Sequence, residues 1–210
     1  MPPTRRQLAD ASAGLAHRNP RLAAVVERVG PCDLRRGRPR RPHFAEISRM
    51  IVYQQLAGRA AAAIHGRFVA LFDGTGPTPE SVLALPVDRL RGAGLSGSKA
   101  ASIRDLAERV VAGEVKLDRL GRLPDEEIVR ELTLVRGIGR WTAEMFLMFQ
   151  LGRLDVWPVG DYGVRKGYAA IFGGELPTAK ELAALGDPFR PYRSVAAWYC
   201  WRAVDTVVPD

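Results

Sequence analysis

The chain has 210 residues, 47% of them hydrophobic, and carries 31 Lys and Arg against 23 Asp and Glu for a formal net charge of +8. That apolar content excludes a disordered chain and suffices for one packed body or two small lobes, while the basic excess points to a polyanionic partner, nucleic acid first. Two cysteines, Cys32 and Cys200, and the scattered His17, His43 and His65 are too few for a disulfide framework, a four-cysteine zinc site or an iron–sulfur cluster, so no transition metal is expected.

The N-terminal run Met1-Pro2-Pro3-Thr4-Arg5-Arg6 lacks an apolar signal core, and no stretch of about eighteen apolar residues is present to span a bilayer. A cytoplasmic protein without membrane contact is expected. Apolar positions recur at three and four residues almost throughout, and no alternating β-branched run of strand length occurs, which predicts an all-α fold. A first helix starts after Pro20 with Leu22, Val25, Val26 and Val29 and stops at Gly30-Pro31, a glycine followed by a residue that cannot continue a helix. The run Arg35, Arg36, Arg38, Arg40 and Arg41, broken by Gly37 and Pro39, reads as an exposed basic loop that either touches phosphates or is simply solvated.

A long helix is expected over residues 44–72, interrupted near 54–58. The segment 73–79 is a loop by composition, and Thr78-Pro79-Glu80 supplies an N-cap, a first-turn proline and an early acid for the next helix. Gly92, Gly94 and Gly97 mark a turn before Ser98, read here as the cap of a helix carrying Ile103, Leu106 and Val110. Pro124-Asp125-Glu126-Glu127 opens a further helix with acids at its positive end. Helices over 141–151, 161–172, 177–185 and 192–204 complete the chain, with a loop at 152–160.

Between two of these helices lies Val135-Arg136-Gly137-Ile138-Gly139. Two glycines one residue apart allow a tight turn, and the amide N–H groups at the start of the following helix suit a phosphate. The bare pattern also occurs where helices merely end. Downstream, Trp157-Pro158-Val159-Gly160 sets Asp161 at a helix start, where the amide dipoles suit a carboxylate; taken alone it reads better as a helix cap.

Taken together, Leu134-Val135-Arg136-Gly137-Ile138-Gly139-Arg140-Trp141-Thr142-Ala143 and the aspartate beyond it resemble the helix-hairpin-helix DNA glycosylase superfamily. Ile51-Val52-Tyr53-Gln54-Gln55-Leu56-Ala57, Gly94-Leu95-Ser96-Gly97-Ser98-Lys99-Ala100 and Pro191-Tyr192-Arg193-Ser194-Val195-Ala196-Ala197-Trp198-Tyr199 are similar, in order, to segments of its alkylation-repair branch, 3-methyladenine DNA glycosylase II. The resemblance implies a two-lobed helical fold with a cleft between lobes and no extra N-terminal mixed domain. The lobes would be 45–160 with the hairpin at 134–142, and 1–44 plus 161–210, within a single glycosylase body.

The same resemblance implies roles for individual residues. Asp161 is the catalytic carboxylate, stabilising the positive charge that builds on deoxyribose as the N-glycosidic bond breaks. Gly137, Ile138, Gly139, Arg140 and Thr142 bind DNA. Trp141, Met145, Trp201 and Tyr53 line the base pocket, where aromatic faces suit a cationic alkylpurine; core packing is the plainer reading for Trp198 and Trp201. Gln55 or Leu56 is the wedge that fills the gap left by a flipped base, although the glutamines read equally as buried helix contacts. Arg193 serves either a phosphate or an internal acid. Thr133, Val135 and Ile138 offer backbone carbonyls to a monovalent cation, potassium or sodium, and no cofactor is required.

Bifunctional relatives carry a lysine nucleophile where this chain has Trp141, so strand-cutting lyase chemistry is not expected. The expected activity is monofunctional release of 3-methyladenine and related alkylpurines from double-stranded DNA by a monomer, with hypoxanthine or 1-methyladenine as minor substrates. A cationic base leaves readily, which is consistent with the lack of an evident general acid, since no motif places Glu144 or Asp155. The competing readings are a non-catalytic DNA-binding or lesion-sensing module and a helical protein–protein adaptor.

Overall fold

The computed structural model describes residues 3–34 and 41–204, so Arg35, Arg36, Arg38 and Arg40 of the basic run lie outside the described residues. Every regular element among the described residues is helical, as the periodicity predicts. In chain order these are α1 (Arg5–Arg18), α2 (Pro20–Val29), α3 (His43–Tyr53), α4 (Gly58–Ala70), α5 (Pro79–Ala84) and α6 (Val87–Gly92). There follow α7 (Gly97–Val111), α8 (Asp125–Thr133), α9 (Arg140–Met145), α10 (Tyr162–Phe172), α11 (Ala179–Leu185) and α12 (Arg193–Ala203). No helix among the described residues is long and apolar enough to cross a membrane.

The chain divides into two compact units: described residues 3–34 with 144–204, and described residues 41–143. The division falls inside α9. Residues 144–160, expected in the central lobe, therefore group with the chain ends. The reason is visible in the π-helical turn Phe146–Leu151 that continues α9: Phe146, Leu147, Met148 and Phe149 are all buried, and Phe149 stacks on Trp201 of α12.

Within the first unit, α12 is the central helix. Ser194 through Trp201 are buried without interruption, and α12 packs against α10, α2 and α1. The closest approach is at Gly167, where a Cβ would run into the Cys200 backbone carbonyl, so only glycine lets α10 cross α12 at this separation. Helix α1 was not expected. Its signal is nonetheless in the sequence: the Thr4 hydroxyl accepts the Gln7 N–H at 3.2 Å while the Gln7 side chain accepts the Thr4 N–H at 2.8 Å, the reciprocal box that begins many helices.

In the second unit, α3 is buried from Phe44 to Val52 and packs on α4 and α7, while α5 also packs on α7. The expected interruption is real and occupies the residues between Tyr53 and Gly58. Helix α7 is capped by Ser96 rather than Ser98. The Ser96 hydroxyl accepts the Lys99 N–H at 3.3 Å, and Gly97 becomes the first helical residue.

Candidate active site

The hairpin sits between α8 and α9. Ile138 N–H donates to the Val135 carbonyl at 3.1 Å, closing the turn, and both side chains are buried, pinning the loop from below while its glycines face outward. Gly137 is required twice over. Its φ is +76°, a region L side chains rarely enter, and a Cβ would lie 2.6 Å from the Ser102 hydroxyl of α7. Gly139 is different, since a Cβ there meets nothing within 4 Å; its bareness is available for a ligand rather than demanded by packing.

Asp105 and Gln54 hold this loop, and Lys99 holds the α3 break beside it. The Asp105 carboxylate of α7 accepts the Arg136 N–H at 2.7 Å and the Arg109 guanidinium at 3.0 Å. Burial opposes the Asp105 charge, but the Arg136 N–H and Arg109 outweigh it and hold the carboxyl below its usual range. Gln54, just past the end of α3, donates its amide to the Gly137 carbonyl at 3.0 Å and to the Thr142 hydroxyl at 3.3 Å. Lys99 of α7 donates to the carbonyls of Val52 and Gln54 at 2.7 and 2.8 Å. Thus the hairpin and the α3 break are one hydrogen-bonded assembly.

In the other unit, Asp161 is the N-cap of α10, with Oδ1 accepting the Val164 N–H at 2.8 Å and the Trp201 indole N–H at 2.9 Å. The residue is only 7% exposed. The preceding loop is clamped at several points. Ser194 accepts the Val156 N–H at 2.9 Å and donates to the Arg153 carbonyl at 2.8 Å. Trp157 donates its indole N–H to the Leu182 carbonyl at 2.7 Å. Arg193 bonds Asp155 at 2.8 Å, and Arg190 bonds the same acid at 3.1 Å, so Arg193 serves an internal acid and Asp155 is committed to two guanidinium groups. Burial, with the Asp161 charge behind it, pushes the Cys200 thiol up, leaving it a neutral wall beside the carboxylate.

The remaining expected site residues are placed as follows. Trp141 is 41% exposed, which suits a surface that meets a base. Tyr53 is half-buried, with the Arg49 guanidinium 4.6 Å from its ring centroid. Arg140 is exposed and paired with Glu126, its Nη1 at 3.1 Å from that carboxylate. Gln55 is exposed with φ +57°, and Leu56 is 37% exposed. Three further residues of the expected site are buried. Met145 is 1% exposed. Thr142 is buried with its hydroxyl engaged by Gln54, so it braces the hairpin from within. Trp201 is 0% exposed; stacked on Phe149 with ring centroids 6.0 Å apart, it supports Asp161 and presents no ring face to solvent.

The donor set expected for a monovalent cation consists of the neutral carbonyls of Thr133, Val135 and Ile138, which suits a hard ion and not a transition metal. The Val135 carbonyl accepts the Ile138 N–H and retains a second lone pair. Among the described residues, no group of three or more His, Cys, Asp or Glu side chains is placed to hold a metal ion.

Comparison with known proteins places this geometry in context. Residues 48–191 match the family model for the HhH-GPD superfamily base excision DNA repair protein. The chain is 34% identical over 181 residues to DNA-3-methyladenine glycosylase 1 of Schizosaccharomyces pombe, covering 85% of this chain and 79% of that one. Among solved structures, S. pombe 3-methyladenine DNA glycosylase in complex with abasic DNA superimposes with a TM-score of 0.81 at 33% identity, covering 92% of this chain and 95% of that chain. A DNA-3-methyladenine glycosidase from Bacillus halodurans gives 0.83 at 36% identity, with coverage of 93% and 89%.

Proposed function

Because this chain belongs to the HhH-GPD superfamily of base excision DNA repair proteins, we propose that it is a monofunctional DNA glycosylase that releases alkylated purines of the 3-methyladenine type from duplex DNA. The observation that carries this reading is Asp161, a carboxylate held in one orientation by a helix-terminal N–H and an indole N–H on the same oxygen. A carboxylate fixed in that way needs no reorganisation when charge develops, which is how a preorganised group lowers a barrier.

The chemistry follows from the leaving group. As the glycosidic bond of a cationic alkylpurine breaks, its electron pair goes to the base, which departs neutral, and the sugar becomes oxocarbenium-like. The Asp161 charge stabilises that sugar. Water then adds at the anomeric carbon and its proton passes to the carboxylate or to solvent, leaving an abasic site. No acid is needed to protonate the base, in keeping with Asp155 being tied to Arg190 and Arg193.

Binding is assigned to the other unit. The amides around Gly137 and Gly139, with Arg140, take a phosphate. A potassium or sodium ion on the carbonyls of Thr133, Val135 and Ile138 would add positive charge there. Trp141 offers an electron-rich face to the alkylated base, and Gln55 or Leu56 fills the gap it leaves. A single damaged nucleotide has no twofold axis, so the working species is a monomer.

Incubation with dimethylsulfate-treated duplex tests this reading. Chromatography should detect free methylpurines, the strands should stay unbroken until alkali is added, and borohydride should trap no protein–DNA adduct. Binding without base release would favour the non-catalytic module, and a trapped adduct would contradict the monofunctional assignment.

A further inference from the structure

We propose that Lys99 is a positioning residue for base flipping: its ammonium group caps the end of α3 and thereby holds the exposed break at Gln55 and Leu56 in register with the hairpin. The inference rests on the glycosylase reading above and identifies what keeps the break ready to enter DNA.

The carbonyls at a helix C-terminus have no partner within the helix. At the end of α3, Lys99 supplies one, at 2.7 Å from the Val52 oxygen and 2.8 Å from the Gln54 oxygen, and a cation is also favoured by the negative end of the helix. Chains commonly leave a helix through glycine in the left-handed region. Here that region is occupied by Gln55, at φ +57°, although glycine would adopt it without strain. A strained non-glycine residue with an exposed side chain, beside a DNA-binding hairpin, is the kind of outlier that marks a working side chain.

The second part of the argument is where the cap comes from. Lys99, Ser102 and Asp105 follow one another along the same side of α7. Lys99 holds the break, Ser102 lies beneath Gly137, and Asp105 accepts the Arg136 N–H at 2.7 Å. Gln54 closes the circuit by donating to Gly137 and Thr142. One helix therefore sets the spacing between the loop that takes a phosphate and the loop that displaces a base, and the two meet DNA as a preassembled pair.

The experiment uses the full chain with Lys99→Met, Lys99→Arg and, as an independent cut of the same circuit, Gln54→Met. The probe is a duplex with 2-aminopurine beside a tetrahydrofuran abasic analogue, whose fluorescence rises on unstacking. Lys99→Met should reduce the rise at saturating protein, and the single-turnover release of methylpurine, by about tenfold or more, the scale of losing a charge-assisted hydrogen bond. Affinity for undamaged duplex, read by anisotropy, should be nearly unchanged. Lys99→Arg should restore most of the signal, and Gln54→Met should reproduce the defect. A full fluorescence rise with Lys99→Met overturns the proposal, as does a loss that merely follows weakened binding to undamaged duplex. If Lys99→Met does not fold, Lys99→Gln decides by the same readings. A wild-type chain that unstacks the probe but releases no base sinks the glycosylase reading while the fluorescence comparison still judges Lys99; one that unstacks nothing overturns the Lys99 proposal.

Discussion

The indole N–H of Trp201 donates to Oδ1 of Asp161 at 2.9 Å, joining the last turn of α12 to the N-cap of α10. Phe149 covers the indole, and the Val164 N–H holds the same oxygen. The carboxylate is consequently fixed by two elements at once.

Trp201→Phe keeps a ring against Phe149 and deletes the donor, together with part of the buried indole volume, so thermal melting is read alongside. Single-turnover base release should fall about tenfold or more, the scale of one hydrogen bond to a charged group, while affinity for an abasic duplex stays close to wild type. Quench-flow rates paired with anisotropy measure both, and an unchanged rate would show that the bond does not set the carboxylate's work.

The two hairpin glycines should behave oppositely. Gly137→Ala places a side chain at positive φ and against Ser102, for a loss of stability of about 1–3 kcal/mol, visible in thermal melting and relieved in part by adding Ser102→Ala. Gly139→Ala meets nothing in the fold and should melt like wild type yet bind DNA more weakly. Equal melting of the two variants would contradict the packing argument.

Asp105 gives the hairpin a pH dependence. Its carboxyl is held below the ordinary value of 3.8, so its contribution to stability is complete above that value and is lost as pH falls through the lower folded one. Acid melting should therefore show a wild-type advantage over Asp105→Asn at neutral pH that shrinks below about pH 4. A constant difference across that range would mean that the charge is not what anchors Arg136.

Much of this arrangement is legible in the sequence, and the parts that are not share a cause. Thr78-Pro79, the α3 break and the helix start at Asp161 each rest on local rules of capping and periodicity, and each is found where those rules put it. Helix α1 was equally legible from Thr4 and Gln7, but its low apolar content hid it. Lys99, Ser102 and Asp105 act on residues remote in sequence, and nothing in the spacing of α7 says that an ammonium group will reach the end of α3. Trp201 is a related case: an aromatic residue at that position reads as pocket wall or as core, and its complete burial with an N–H directed at Asp161 is visible only in the fold. The π-helical turn after α9 leaves no mark in the apolar pattern, which is why the division of the chain at residue 143 differs from the lobe boundary expected near 160.

The most direct test of the central claim compares wild type with Asp161→Asn on a methylated duplex at matched DNA occupancy, measuring free base released in a single turnover. The account predicts methylpurine from wild type alone, with the Asn variant binding the same duplex at least as well. Equal release by both proteins, or none from either while both remain bound, would contradict it.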